Sequence, residues 1–165
     1  MKAFEARNLF TLFNSDGFSW EGISEDNSIS LLQMMMQMSE INESLAKAEE
    51  FAKKQIVVGR LKELVEKFNA EDMIDEKGFT QKATSDKDFE EYKKIVAEAD
   101  LKLGRVLEPK MMEDVHIGTL DKSAIAQIIS ANALFFQKSK VKPFTLYLLL
   151  TRQEEIDNKS KRKKK

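Results

Sequence analysis

The chain has 165 residues, 42% of them hydrophobic, with 27 Lys and Arg against 28 Asp and Glu, a composition that suits one soluble globular domain. The absence of cysteine and the single histidine exclude disulfides, thiol catalysis, sulfur-bound zinc and clusters of imidazole ligands. Two Pro and six Gly are too few for the turns of a strand-rich sandwich, so the expected fold class is mainly α.

Residues 4–13, with Phe4, Leu9, Phe10, Leu12 and Phe13, read as a short helix closed by the turn Asn14-Ser15-Asp16-Gly17. Asp26-Asn27-Ser28 then offers N-cap chemistry ahead of a long segment without Pro. From Met34 the apolar positions fall at Met34, Met38, Ile41, Leu45, Ala48 and Ala52, alternating steps of four and three that form a heptad stripe on one helix face. After the polar Lys53-Lys54-Gln55 the stripe resumes in a shifted phase at Val57, Leu61, Leu64 and Phe68. One dominant helix from about Ser28 to about Asn69 is therefore expected, about 60 Å long, with Gly59 the place where it could bend or break.

Met73-Ile74 and Phe79-Thr80 bracket Asp75-Glu76-Lys77-Gly78, which predicts a tight turn or small hairpin. A second heptad stripe, Phe89, Tyr92, Val96, Ala99 and Leu103, follows the capping residues Thr84, Ser85 and Asp86. Two striped helices joined by an acidic connector bury their stripes best against each other, so a long antiparallel helical hairpin is expected, its second arm running from about Asp86 to about Asp100; Leu101, Leu103 and Val106 would also suit an extended stretch, and Pro109 stops any helix by Glu108. Asp121 caps a third helix, with Leu120 and Ile125 at the two positions of a hydrophobic staple. That helix carries Ile125, Ile128, Ile129, Leu134, Phe135 and Phe136 and should be mostly buried, and Pro143 opens a last segment from Phe144 to about Ile156 that reads as helix, with strand as the alternative. Residues 1–158 thus read as a single helical domain. The last seven residues hold six positive charges, so residues 1–158 carry −7 where the whole chain carries −1. The tail, residues 159–165, cannot bury enough surface to offset its ordering entropy and is expected to be disordered.

No Gly-rich phosphate loop, nucleophile elbow or His/Glu metal pattern occurs, and neither an enzyme nor a cofactor is expected. His116 lies in Val115-His116-Ile117-Gly118 and reads as structural rather than as a general base. Glu71, Asp72, Asp75 and Glu76 lack the ordered ligand spacing of a calcium loop, so no metal is expected. The methionines are more informative. Met34, Met35 and Met36 point around more than half of the helix, further than one hairpin partner can cover, which makes Met34, Met35, Met36, Met38, Ile41 and Leu45 the candidate interaction surface for a protein partner or a second copy. A separate possibility is weak nucleic-acid binding through Lys161, Arg162, Lys163, Lys164 and Lys165, which supply phosphate-neutralising charge but no aromatic residue for stacking. No small-molecule substrate is evident. The longest apolar run, Leu146 to Leu150, is well short of the roughly 18 residues that span a membrane. A cytoplasmic location is expected, or the virion if the chain is phage-encoded.

A long charged helix, the acidic Gly-containing turn at Asp75 to Gly78, the opening Asp88-Phe89-Glu90-Glu91-Tyr92-Lys93-Lys94-Ile95 and the Leu101 to Val106 stretch follow one another in the order found in small proteins of tailed bacteriophages and prophages of unassigned function, which this chain resembles over roughly residues 30–135. The resemblance lies in pattern and transfers no functional residue. It implies a phage-encoded, non-catalytic α-helical interaction or assembly protein, a virion component or assembly factor acting through helix–helix contacts. The alternative is a nucleic-acid-associated regulator that uses the basic C-terminal tail.

Overall fold

In a computed structural model, residues 1–139, 141–142, 145–147 and 150 are described. The elements are helices α1 (Ala3–Phe13), α2 (Glu25–Ile56) and α3 (Gly59–Phe68), strands β1 (Ile74–Asp75) and β2 (Gly78–Phe79), and helices α4 (Gln81–Thr84), α5 (Phe89–Met111), α6 (Lys122–Ala131) and α7 (Ala133–Lys138). The fold is mainly α with one very small antiparallel sheet, in register Ile74 to Phe79 and Asp75 to Gly78. Thr145 to Tyr147 and Leu150 are helical, while the rest of the expected Phe144 to Ile156 segment and the basic tail lie outside the described residues.

Where the sequence reads as one domain over residues 1–158, contacts group into two compact units, Ala46–Lys110 and the described residues of Met1–Leu45 with Met111–Lys165. In the latter unit, the start of the chain is tied to residues 113–115. The Ala3 N–H donates to the Glu113 carbonyl at 2.9 Å and the Val115 N–H to the Met1 carbonyl at 2.9 Å, with Lys2 bridged to Asp114. The Glu5 carboxylate accepts from the Lys2 backbone N–H at 2.8 Å, satisfying one donor at the entry to α1. Helix α6 starts where expected, as the Asp121 carboxylate accepts from the Ala124 N–H at 2.7 Å, and the staple residues Leu120 and Ile125 are both buried. Around them Phe13, Leu31, Met34, Met38, Ile117, Ile128 and Phe136 complete a core in which α2 supplies three of the large side chains. The long apolar third helix is in fact two. Asn132 separates α6 from α7, and the short α7 buries Phe136 while leaving Leu134 72% exposed, so the expectation of a mostly buried helix holds for one side of α7 only.

The other unit contains the hairpin. The ring of Phe68 in α3 lies tilted against those of Phe89 and Tyr92 at the start of α5, with centroids 5.5 and 4.7 Å away, and Leu64, Met73 and Ala83 close the cluster. Lys53, Ile56 and Val57, earlier in the first arm, face Ala99, Asp100 and Leu103, later in the second, which is the antiparallel order. The first arm is interrupted, contrary to the expectation of one helix over Ser28 to Asn69. Val58 is extended at φ −132°, and Gly59 re-enters helix at φ +53°, a conformation open to glycine because it has no Cβ. The break falls next to the phase shift at Lys53-Lys54-Gln55, so it lets the two out-of-phase stripes each face inward.

Two boundaries also move. Helix α2 begins at Glu25, before the expected cap, with the Ser24 carbonyl accepting from the Ser28 N–H at 2.8 Å; Asn27 instead donates from its side chain to Gln127 at 2.8 Å. Helix α5 begins at Phe89 after an Asp86 turn and continues through Pro109 to Met111. The proline removes one N–H donor within the last turn, where a helix already leaves carbonyls unpaired, so it does not end the helix at Glu108.

Candidate functional site

The methionine cluster divides between two faces of α2. Met34, Met35, Met38 and Leu45 are buried and Ile41 is partly buried against the core, so five of the six residues expected to meet a partner are occupied within the chain. The physical reason is that Met34, Met35 and Met38 share one buried cluster with apolar side chains of α1, α6, α7 and residues 117–120, more elements than one hairpin arm. Met36 alone of the six remains outside, at 69% exposure. It is joined by Ile29 at 48% and Leu32 at 49%, two residues outside the expected methionine surface. Their spacing of three and then four residues was the available signal, since it places the three within an arc of about 60° opposite Leu31, Met34 and Met38. Helix α2 is therefore apolar on two opposed sides, one in its own core and one without a partner among the described residues.

The ends of this exposed stripe are acidic. At the same helical angle lie Glu25 one turn before Ile29, and Glu40 and Glu43 after Met36, all three exposed. Between residues 21 and 46 there are five acidic residues and no Lys or Arg, the next cation being Lys47. Among the described residues no ion pair engages Glu25, Glu40 or Glu43.

Elsewhere charges are paired and hold the hairpin. Arg60 reaches Glu91 at 2.7 Å and Asp88 at 3.3 Å, and Lys67 bridges Asp86 at 2.6 Å and Asp88 at 2.9 Å. Hydrogen bonds from Lys67 hold the carboxyls of Asp86 and Asp88 below the usual aspartate value, and Arg60 does the same for Glu91. Of the acidic turn, Asp72 pairs with Lys82 and Asp75 accepts from the Lys77 backbone N–H at 2.8 Å. Among the described residues no group of three or more His, Asp or Glu is arranged to hold a metal ion.

Several recesses open among the described residues. One of about 340 Å³ runs along α1 between Phe4, Leu9, Leu12 and Val141. A second, of about 120 Å³, lies at the α2–α3 break between Ile56, Val57, Ala99 and Leu103, and a third of about 360 Å³ is bordered by Met1, Asp114, Val115 and His116. His116 is exposed, between the half-buried Val115 and the buried Ile117. His116 shares its recess with Asp114, whose carboxylate pairs with Lys2 at 2.9 Å, and with Met1, whose terminal ammonium donates to the Val115 carbonyl at 3.2 Å. Lys161, Arg162, Lys163, Lys164 and Lys165 lie outside the described residues.

The chain matches no known family pattern, no curated protein and no solved structure. No helix among the described residues is long and apolar enough to cross a membrane.

Proposed function

We propose that this chain is a non-catalytic helical interaction protein, phage-encoded and serving as an assembly factor or virion component, that works through helix–helix contacts. The observation supporting the reading is the outer face of α2. Ile29, Leu32 and Met36 stand exposed in helical register while the other side of the same helix is fully engaged in the core. The acting residues are thus those three rather than the whole cluster from Met34 to Leu45. The test is a photo-crosslinker placed at position 36, compared with one at the exposed Lys62 on α3. Crosslinking to a defined protein at position 36 alone, lost in Leu32→Ser, is expected. Equal yields at both positions would remove the support. Genes for virion parts on either side of this one would favour assembly.

The second reading, a nucleic-acid-associated regulator, is favoured by six positive charges in the last seven residues. Residues 1–158 oppose it with a net charge of −7. Full-length protein should bind a short duplex weakly at moderate salt and no better than protein lacking residues 159–165. Tight, tail-dependent binding at moderate salt would place this reading first.

A further inference from the structure

We infer that the exposed face of α2 is a docking site for a basic amphipathic helix of a partner protein, and that a second copy of this chain is excluded from it. The inference rests on the interaction reading above and names the chemistry of the partner.

Two features of the face decide the occupant. The apolar part consists of Ile29, Leu32 and Met36, which at their exposures offer on the order of 300 Å² against about 800 Å² per partner in a standard stable interface. A short helix can cover such a stripe with residues at matching spacings of three and four. The second feature is charge. Glu25 precedes the stripe, while Glu40 and Glu43 follow it on the same face. A second copy pairing face to face would set Glu25 against Glu25 and Glu40 against Glu40 if parallel, and Glu25 against Glu40 or Glu43 if antiparallel. Either way like charges meet beside a surface that is losing water, which costs affinity. A helix with Lys or Arg on both sides of its apolar stripe meets opposite charges at both ends instead. The acidic residues are exposed and lack ion pairs among the described residues, so they can engage incoming cations without first giving up a partner.

The test uses full-length protein and three synthetic helical peptides of about 18 residues. The first carries Leu at spacings of three and four with Lys on both flanks. In the second, Glu replaces Lys, and in the third, Ser replaces Leu while the Lys residues remain. The first peptide should bind at least tenfold more tightly than either of the others, and its binding should weaken as salt rises. Leu32→Ser with Met36→Ser should weaken it about tenfold while leaving circular dichroism unchanged, since both side chains are exposed. Glu40→Lys with Glu43→Lys should reverse the preference between the first two peptides. If the Lys and Glu peptides bind equally and both depend on Leu32, the docking face stands and its charge assignment fails. If the protein self-associates in light scattering and Leu32→Ser abolishes this, a second copy is the occupant and the inference is overturned. Failure of all three peptides with a monomeric protein would overturn the inference, and the crosslinking at position 36 then shows whether the broader reading falls with it.

Discussion

Asn132 shows how much one side chain can specify. Among the described residues it is the one polar side chain in the buried set, at 2% exposure, and its amide is fully employed. Its Oδ1 accepts from the Ser19 N–H at 2.6 Å, while its Nδ2 donates to the carbonyls of Ser19 at 2.9 Å and Ile128 at 3.1 Å. The same residue therefore ends α6 and fixes the backbone between α1 and α2. Asn132→Ala would leave the Ser19 amide and carbonyl without these partners and should cost about 1–3 kcal/mol, measurable by urea denaturation. Asn132→Asp should cost at least as much, because a carboxylate in place of the Nδ2 donor would face two carbonyl oxygens. Nothing in the sequence around Asn132 distinguishes it from an ordinary helix-terminating asparagine. Its partner Ser19 is 113 residues away and is found only through the fold.

Between elements, the hairpin arms are joined by an aromatic cluster and by the ion pairs from Arg60 and Lys67 to Asp86, Asp88 and Glu91. The carboxyls are held below their ordinary values of 3.8 and 4.5, so whatever they contribute to stability is present above those values and lost as pH falls through the folded pKa. Lys67 is raised above its ordinary 10.5, so its share is complete below that value and lost as pH rises through its folded pKa. Lys67→Met should accordingly lower the melting temperature near pH 7 and make progressively less difference as pH falls below the ordinary aspartate value of 3.8 and the carboxyls take up protons. A loss of equal size at pH 7 and in acid would show that the lysine acts through its ammonium, 5.3 Å from the centre of the Phe68 ring, rather than through the carboxylates. The two heptad stripes announced the arms, but not these pairs, because Arg60 and Glu91 are 31 residues apart and meet only once the stripes have set the antiparallel register.

At the scale of the whole molecule, the two units differ in how much they bury. Residues 46–110 close around Leu64, Phe68, Met73, Ala83 and Phe89, whereas the core of the other unit draws large apolar side chains from α1, α2, α6, α7 and residues 117–120. Opening free energy follows buried apolar contact, so amide hydrogens of α3 and α4 should exchange faster than those of α6 under native conditions. Uniform protection across α3 and α6 would mean that both units open only together.

The sequence by itself determined the helical class, the hairpin with its Asp75 to Gly78 turn, the capped start of α6, and Gly59 as the weak point of the first arm. Periodicity, capping and glycine chemistry act within a few residues of one another, so they can be read in order along the chain. It also showed that the methionines of α2 cover too much of the helix for one neighbour. Which of them would stay outside was decided by tertiary structure alone, since burial depends on how many other elements converge on a helix. That convergence left Met36 in solvent beside Ile29 and Leu32, between acidic residues whose common face a helix of 3.6 residues per turn had already fixed.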